Sequence, residues 1–414
     1  IRGSEMKNTI SFVLMLFFVS SVQAAVTFSD MNGSNGDVDK LLADEMGLSI
    51  VRIDLSWNKV ESTKGVYGWD AYDKKILSIK NKGIQVLPVL AYTPEWNKVY
   101  PNKVGSPPHD YSSWIKFVKA AVARYSSEPY NIKYFQVWNE PTKKANYWLG
   151  TNDDFVNKIY IPAAKEIRSK GGMVVFGGWP ASNSINELDR IMFKLNAIKY
   201  TDIIDFHYGN EGPYNHLYEN YLKPGYVKGI WQTELGFRAE KDGLLRIYLT
   251  IFHWMLSHNW SSEDQYKLFW YPGWGSREKE LRGLTTTLAA RNTVPTKNGN
   301  QLSLLNSLYG GGNLKLADLS VLNCGGCTPG NAFAVSIADK KIVIANISKV
   351  VAKFNDSMQY TVNANFHPNR AFIISSDGEK KTIEFTYDSN KVIVTPFANG
   401  LHKKQNKIFF IQIE

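Results

Sequence analysis

The sequence predicts an α/β protein, with a (β/α)8 TIM barrel followed by a small C-terminal all-β sandwich domain. Between residues 26 and about 310, eight short apolar β-type runs alternate with amphipathic helical stretches. Eight such repeats over this length are typical of a closed barrel. Beyond that point helical periodicity stops, and short strand-like runs are separated by turn residues. A doubly wound open sheet is the alternative, but Asn32-Gly33-Ser34-Asn35-Gly36 lacks the glycine spacing of its phosphate-binding turn.

The eight predicted barrel strands share an apolar, β-branched or aromatic composition. They are 26–29, 49–55, 85–91, 132–138, 173–177, 203–207, 229–233 and 267–271. Helices are predicted between them, because Asp or Ser precedes and Gly follows several of the amphipathic stretches. These helices are 37–46, 72–81, 111–125, 153–170, 184–198, 214–222, 243–258 and 293–308.

The run Tyr309 to Asn313, with three consecutive glycines, is the predicted linker, giving a barrel over 26–312 and a β-sandwich over 313–414. Seven strands are predicted in the second domain: 333–337, 341–347, 359–362, 370–374, 382–387, 391–394 and 408–413. The two cysteines of the chain, Cys324 and Cys327, are expected to form a local disulfide in an oxidising compartment.

Residues 1–25 are predicted to be a targeting segment rather than part of the fold. Ile1 to Glu5 precede Met6 and look vector-derived, Lys7 supplies a positive charge, and 9–22 is a short apolar run. Small residues follow it, with a cleavage site expected near Ala24. We therefore expect a periplasmic or secreted protein with a cleavable signal peptide. An uncleaved N-terminal anchor is the alternative.

Composition indicates a globular enzyme-sized chain of 414 residues with 12 Trp, 22 Tyr and a net charge of +10. Abundant Trp and Tyr suit a sugar-binding cleft, because a pyranose face stacks on aromatic rings, although part of them must form an ordinary core. The positive charge favours an acidic polysaccharide or an anionic membrane surface. An export signal and the lack of a basic run argue against nucleic acid, and nothing in the sequence demands more than a monomer.

Two glutamates carry the predicted chemistry. Glu140 lies in the run Phe135 to Pro141, and Glu234 lies in the run Ile230 to Phe237. Both glutamates therefore follow apolar β-type residues, at the ends of predicted strands four and seven. Catalytic groups of barrel enzymes lie at the carboxyl ends of the strands. A carboxyl pair can cleave a glycosidic bond, with Glu140 as acid/base and Glu234 as nucleophile.

Other strand ends are polar and aromatic as well, which indicates a binding cleft rather than a structural rim. The candidate substrate-binding residues are Arg52, Trp57, Tyr92, Trp96, Trp138, Asn139, His207, Tyr208 and Trp270. Arg52 or His207 is expected to keep Glu234 ionised, Asn139 to bind a sugar hydroxyl, and Trp270 to form the floor of the cleft. Lys143 and Lys144 follow Pro141 and offer cations to an acidic glycan, or form a solvated surface.

The chain resembles clan A glycoside hydrolases, and is most similar in layout to family 39 and to the Psl-type endoglycosidases of bacterial exopolysaccharide systems. The resemblance rests on 51–54, 137–141, 207–208 and 233–236. It implies that Arg52 and Tyr208 contact the nucleophile, although His207 directly precedes Tyr208 where many relatives have a residue between them.

The resemblance implies that the protein is a retaining hydrolase that cuts a bacterial biofilm exopolysaccharide internally. It also implies that no metal or organic cofactor is needed. Peripheral association with a polysaccharide export system would follow from such a role. Three alternatives stay open: an exo-acting, xylosidase-like β-glycosidase, a transglycosylase, and a non-hydrolytic glycan-binding scaffold.

Overall fold

The computed structural model describes most of the chain: residues 25–236, 243–275, 282–287, 293–322, 332–347, 357–397 and 408–414. The predicted signal peptide, up to residue 24, and the Cys324–Cys327 pair lie outside the described residues and stay predictions.

Eight parallel strands close into a barrel, which confirms the predicted fold class. The strands are β1 Asn32–Asn35, β2 Ile50–Ser56, β3 Gln85–Ala91, β4 Tyr134–Val137, β5 Met173–Phe176, β6 Ile203–His207, β7 Gly229–Leu235 and β8 Tyr266–Trp270. They pair in sequence order, and closure comes from β8 beside β1, with Ser34 opposite Trp270. A two-residue strand, Trp179–Pro180, also pairs with β6.

The barrel interior is filled by large side chains, as the alternation of a strand requires. One buried cluster contains Ile50, Leu87, Tyr134, Met173, Val175, Ile203, Trp231 and Phe269, all on barrel strands. This packing makes the barrel a solid support. The residues at the carboxyl ends of the strands are therefore the ones that this core positions for a cleft.

The first predicted strand, 26–29, is wrong. The structure has a short helix at Phe28–Met31 and places β1 at Asn32–Asn35. The reason is a capping interaction that the apolar pattern does not reveal. The Asp30 carboxylate accepts hydrogen bonds from the backbone N–H of Thr27 at 2.7 Å and from its hydroxyl at 2.9 Å, which stabilises a helical turn.

Helices surround the barrel between the strands. After α1 (Phe28–Met31) they are α2 Lys40–Met46, α3 Trp57–Val60, α4 Asp70–Lys80, α5 Tyr111–Tyr125, α6 Asn152–Asp154, α7 Ile161–Ser169, α8 Ile185–Asp189, α9 Glu211–Leu217, α10 Gly243–Ser257 and α11 Lys297–Tyr309. Wider π turns at Phe155–Tyr160, Arg190–Lys194 and Tyr218–Leu222 continue three of them. In the described part of the chain, no helix combines the length and apolar character that a membrane crossing requires.

Antiparallel sheets follow the barrel. A six-stranded sheet contains, in spatial order, Leu314–Ala317, Ala332–Ile337, Lys341–Asn346, Phe409–Ile413, Ala371–Ser375 and Lys380–Ile383. A four-stranded sheet contains Leu319–Leu322, Gln359–Asn363, Lys391–Val394 and Phe385–Asp388. The predicted single strand 382–387 is wrong, because the chain passes from one sheet to the other at Glu384.

The first of these sheets packs directly on the barrel. Phe333 lies against Phe252 of α10, with ring centroids 6.2 Å apart, and stacks on His253 at 4.7 Å. Arg246 of the same helix donates to the Ile347 carbonyl at 2.8 Å. This face of the sheet shares one apolar core with the outer barrel helices.

We expect Lys267→Met to remove a specific pH dependence of stability. Lys267 is buried in β8, where its Nζ donates to the Asp30 carbonyl at 2.8 Å, and burial lowers its pKa from 10.5 to about 8. The unfolded state then binds more protons between these values, so this group makes the free energy of unfolding rise with pH, by up to about 3 kcal/mol.

Urea unfolding of wild type and Lys267→Met at pH 7.5 and 9.5 measures the effect. The difference between the two proteins isolates Lys267 from other groups that titrate there, and the exposed Lys75→Met is the control. An equal pH response in wild type and Lys267→Met would contradict the expectation.

Candidate active site

Glu140 and Glu234 meet at the carboxyl end of the barrel. Glu140 lies three residues beyond β4 and Glu234 lies near the end of β7. Each offers a carboxylate oxygen within 4.8 Å of the other, with a ring nitrogen of His207 inside the same radius. His207 Nδ1 is 2.9 Å from Glu140 Oε1 and 3.8 Å from Glu234 Oε2. A retaining pair lies about 5–5.5 Å apart, and an inverting pair about 6.5–9.5 Å apart, so this spacing is of the retaining kind.

Strained backbone marks the same strand ends. Tyr92, Trp138, Glu140 and Tyr208 all have positive φ, at 72°, 68°, 43° and 53°. Non-glycine residues adopt this left-handed region at a cost of about 1–3 kcal/mol each, and such residues cluster at functional sites. Glu140 is held there by a hydrogen bond of its N–H to the Gly177 carbonyl at 2.7 Å.

Glu234 is held ionised by three donors. Arg52 Nη1 donates to its Oε1 at 2.8 Å, the Tyr208 hydroxyl to its Oε2 at 2.9 Å, and Asn35 Nδ2 to Oε1 at 3.4 Å. Burial would raise the pKa of Glu234, but the charges of His207 and Arg52, with the hydrogen bonds, lower it below its usual value. An ionised carboxylate is the form that a nucleophile requires.

An irregularity in β7 turns Glu234 toward this cluster. Asp205 of β6 pairs with Trp231, whereas His207 pairs with Glu234, so β7 contains one extra residue between these pairs. A bulge of this kind re-aims side chains. Here it lets both Thr233 and Glu234 reach His207.

Arg52 is a fixed guanidinium at the base of the site. Only 2% of its side chain is exposed. Besides the contact with Glu234, its Nε donates to Gln136 Oε1 at 2.8 Å and its Nη2 to Asn139 Oδ1 at 2.6 Å. Burial would lower its pKa, yet the surrounding carboxylates, Glu234 first, raise it. Arg52 therefore couples the nucleophile to the residue beside the acid.

His207 is fully buried, and its ring protons are assigned by its neighbours. The Thr233 hydroxyl donates to Asp205 Oδ2 at 2.7 Å, so it accepts from His207 Nε2, which is 3.1 Å away. Burial would lower the pKa of His207, but Glu234, Asp205 and Glu140 raise it to about 9. His207 Nδ1 lies 2.9 Å from Glu140 Oε1, within hydrogen-bonding distance. Gly178 leaves room for this ring, since a Cβ there would lie 2.2 Å from Nε2.

Three of the predicted substrate-binding residues are instead part of the core. Trp57, Trp138 and Trp270 have no exposed surface. Their indole N–H groups donate to the Glu61 carboxylate and to the carbonyls of Tyr147 and Arg282, respectively. Trp57 begins helix α3 and packs against Trp114 and Phe117, which the sequence pattern does not reveal. Trp138 packs under the loop after β4. These side chains support the site without facing the cleft.

The other predicted residues lie at or near the cleft. Tyr208 is 41% exposed and Tyr92 is half-buried, each directly beyond its strand. Trp96 is half-buried on the rim, where its indole N–H donates to the Glu61 carbonyl at 2.8 Å. Arg52, Asn139 and His207 are buried against the two glutamates. Their roles toward substrate stay predictions.

Several residues of the site were missed from sequence. Asn35, Gln136, Asp205 and Thr233 contact Arg52, Glu234 or His207. Asn35 was hidden because β1 was predicted six residues too early. Tyr147 lies in the loop after β4, and its ring is 6.1 Å from that of Tyr92, a contact that only tertiary structure reveals.

Glu140, His207 and Glu234 are also the group of described residues whose ligand atoms lie close enough together for a metal ion. Within this group His207 Nδ1 is hydrogen-bonded to Glu140 Oε1 at 2.9 Å, and Arg52 places a positive charge 2.8 Å from Glu234. A further cation would meet electrostatic repulsion there. The arrangement fits proton transfer, and the prediction that no metal is needed stays a prediction.

Tyr208→Phe is expected to lower kcat by roughly 10–100-fold, because it removes one of the hydrogen bonds that position and ionise Glu234. The pKa of Glu234 should rise, moving the acid limb of the activity profile to higher pH. Initial rates across pH 4–9 measure both effects. Tyr218→Phe, a half-buried tyrosine on the barrel exterior, is the control, and an unchanged profile in Tyr208→Phe would contradict the expected contact.

Comparison with known proteins shows the family to which the chain belongs. The family model for cellulase, glycosyl hydrolase family 5, matches residues 19–232, which is just over half of the chain. A beta-xylosidase of Geobacillus stearothermophilus is 27% identical over 125 residues, covering 28% of this chain and 25% of that protein. A beta-xylosidase of Caldicellulosiruptor saccharolyticus is 30% identical over 77 residues, 18% and 16% of the two chains. The match therefore spans a quarter or less of these curated relatives.

Solved structures share the fold. A family 39 glycoside hydrolase from Bacteroides cellulosilyticus WH2 superposes with a TM-score of 0.60 at 13% identity, covering 93% of this chain and 81% of that one. A family 30 endoxylanase from Clostridium papyrosolvens C71 gives 0.61 at 13%, covering 95% and 97%. The family match covers most of the barrel, including Glu140, and ends two residues before Glu234. The predicted clan is confirmed by this match. The chain belongs to the cellulase family, glycosyl hydrolase family 5, and is a clan A glycoside hydrolase.

Proposed function

We propose that the protein is a retaining glycoside hydrolase that cuts a bacterial exopolysaccharide internally, after export from the cytoplasm. The observation that carries the proposal is the approach of the two carboxylates to within 4.8 Å, with Glu234 paired to Arg52 and Glu140 hydrogen-bonded to His207. Double displacement needs two carboxyl groups this close together, one as nucleophile and one as acid/base.

In the first step Glu234 attacks the anomeric carbon, and Glu140 gives its proton to the departing sugar oxygen, forming a glycosyl-enzyme ester. In the second step Glu140, now ionised, takes a proton from water, which attacks the ester and releases Glu234. His207 fits both steps, since its Nδ1 stabilises Glu140 in either protonation state. The amide of Asn139 is oriented by Arg52 to meet a sugar hydroxyl.

An acidic or neutral polymer is supported by the wall next to Glu140. The loops after β4 and β5 enclose a polar cavity of about 530 Å³, whose lining includes Thr142, Lys143, Lys144 and Arg190, with Asp153 and Glu187 also present. The loop after β4 thus contributes both Glu140 and part of the cavity lining. We propose that the cavity binds further sugars of the chain, as internal cleavage requires.

A second candidate is an exo-acting, xylosidase-like activity. It is favoured by the two partial matches to proteins named beta-xylosidase. The same carboxylates would serve it, but the substrate would enter by one end only.

Reducing-end release from a panel of neutral and acidic bacterial exopolysaccharides, with xylan and xylo-oligosaccharides included, tests the proposal. Wild type is compared with Glu234→Gln. Oligosaccharides of mixed length from one polymer, absent with the variant, are expected. Release of single xylose units would favour the second candidate, and the absence of release from every polymer would overturn both.

A further inference from the structure

The polar groups around the glutamate pair fall into two sets. Arg52, His207, Tyr208 and Asn139 are all engaged with the glutamates or with one another. A second set follows or ends the strands at the mouth of the barrel, and none of its side chains forms a hydrogen bond with another described residue. This set consists of Asp54, Tyr92, Tyr147 and Tyr271.

Asp54 occupies a defined place in this mouth. It lies on β2 two residues beyond Arg52, and side chains two residues apart on a strand face the same side, about 6.5 Å apart. Arg52 points inward and contacts Glu234, so Asp54 lies one step further toward the opening on the same wall. Asp54 is exposed, whereas the six other residues of β2 are buried.

The carboxylate of Asp54 has no counter-ion in hydrogen-bonding contact. The Arg52 guanidinium is directed to Gln136, Glu234 and Asn139 instead. Among the described residues Asp54 takes part in no ion pair. In the described part of the chain, Arg52 contacts Glu234 and His207 contacts Glu140, and neither forms an ion pair with Asp54.

Three phenols surround Asp54. Tyr92 follows β3, Tyr271 follows β8, and Tyr147 packs on Tyr92. Burial raises the pKa of Tyr271, and Glu234 and Asp54 raise it further, as expected of groups that share one cleft. Phenols both donate and accept hydrogen bonds, whereas an ionised carboxylate only accepts. Together they match the hydroxyl groups of a sugar.

We infer that Asp54 is a specificity-determining residue that accepts hydrogen bonds from hydroxyls, or from an ammonium group, of the bound sugar beside Glu234, and that it excludes anionic sugars from that position. The inference rests on the proposed function and narrows its substrate class. A glycan carboxylate is admitted only away from Asp54, toward Lys143 and Lys144 in the loop after β4.

The chemistry of the acceptor explains the selectivity. A carboxylate accepts charge-assisted hydrogen bonds, which are stronger than those of a neutral acceptor. A uronate at the same position would bring a like charge into a cleft partly shielded from water, where Coulomb repulsion is large. Removing the charge should therefore weaken binding of neutral sugars and at the same time relax the exclusion of acidic ones.

The test compares wild type, Asp54→Asn, Asp54→Ala and the control Asp318→Asn, which alters an exposed aspartate outside the barrel. Each is assayed on the polymer that wild type cleaves best, in two matched forms. One form has its carboxylates reduced or absent, and the other has its primary hydroxyls partly oxidised to carboxylates.

We expect kcat/KM of Asp54→Ala on the neutral form to fall at least about tenfold, and the neutral-to-acidic preference of wild type to shrink by a similar factor in Asp54→Asn. Asp318→Asn should match wild type. A merely structural role would lower activity on both forms equally and leave the preference unchanged, which would overturn the inference. Wild-type preference for the acidic form would also overturn it, while leaving the proposed hydrolase function intact.

Loss of the proposed function itself looks different. If wild type and Glu234→Gln release equal amounts from every polymer, the hydrolase proposal fails and the inference about Asp54 fails with it.

Discussion

Glu234→Gln is expected to lower kcat by about four orders of magnitude or more, with the folded structure retained. Glutamine has almost the same shape as glutamate, and its carbonyl oxygen still accepts a hydrogen bond from Arg52 or Tyr208. What it lacks is the negative charge that attacks the anomeric carbon. Steady-state rates on the preferred polymer, with unfolding curves for both proteins, measure the effect.

The companion variant Glu140→Gln separates the two roles. Without an acid, departure of a poor leaving group becomes slow, whereas an aryl glycoside with an acidic phenol leaves almost unaided. Glu140→Gln should therefore lose much less activity on the aryl substrate than on the polymer in formation of the glycosyl-enzyme. Glu234→Gln should lose activity on both. An equal loss of activity in both variants on both substrates would contradict the assignment of separate acid/base and nucleophile roles.

A matched control exists in Glu61, a buried glutamate away from the pair. Its carboxylate accepts from the Trp57 indole at 2.6 Å and from the Gly65 N–H at 2.7 Å. Glu61→Gln alters a carboxylate that is even more buried than Glu234, at 3% against 13% exposed, but it touches no reacting group. Its specific activity per folded molecule should stay within a few-fold of wild type, so a loss comparable to that of Glu234→Gln would point to a general destabilisation.

The barrel could be predicted well from the sequence because the same strand and helix pattern recurs in each of its βα units. Seven of eight barrel strands lie within two residues of their predicted ends, since apolar runs and glycine punctuation recur at each βα unit. The first strand failed because one capping residue, Asp30, outweighed the apolar pattern. The prediction of one strand at 382–387 was wrong because the chain passes from one sheet to the other at Glu384. In so short a run, the alternation of apolar and polar residues does not reveal this passage.

The site was predictable only in part, for a related reason. Glu140, Glu234, Arg52 and Tyr208 occupy strand ends, and topology alone brings strand ends together. The direction of each side chain depends on local backbone that sequence does not display. Positive φ at Trp138 and the bulge in β7 decide that Trp138 points into the core while Thr233 and Glu234 both face His207. Aromatic abundance therefore indicated a cleft correctly but assigned too many tryptophans to it.

Arg52→Met is expected to move the acid limb of kcat/KM to higher pH and to lower kcat/KM at its optimum by roughly 100-fold or more. Activity requires ionised Glu234, so it is lost as pH falls through the pKa of that group. Arg52 is one cause of its lowered pKa. Methionine fills a similar volume without the charge, so the pKa of Glu234 should rise. The acid limb of kcat/KM should then move to higher pH with it.

The free energy of unfolding should also decrease in Arg52→Met. A carboxylate with a lowered pKa stabilises the fold above its unfolded pKa, and this contribution disappears as pH falls through the folded pKa. Arg52→Met removes part of it and leaves Glu234, Gln136 and Asn139 without their common donor, at a cost on the order of 3 kcal/mol near neutral pH. Urea unfolding at pH 7 and pH 4 should show a smaller difference between wild type and variant at the lower pH.

Arg124→Met provides the comparison that separates the site from ordinary ion pairing. Arg124 is 38% exposed and pairs with Asp73 on the outer helices, with its Nε donating at 2.9 Å. Surface pairs contribute about 0–1 kcal/mol, so this variant should unfold almost as wild type does and keep its pH profile. If Arg52→Met behaved like Arg124→Met in both measurements, the guanidinium would have no part in ionising the nucleophile. Control of Glu234 would then fall to His207, the largest of the charges that lower its pKa, and its replacement would be the variant that moves the limb.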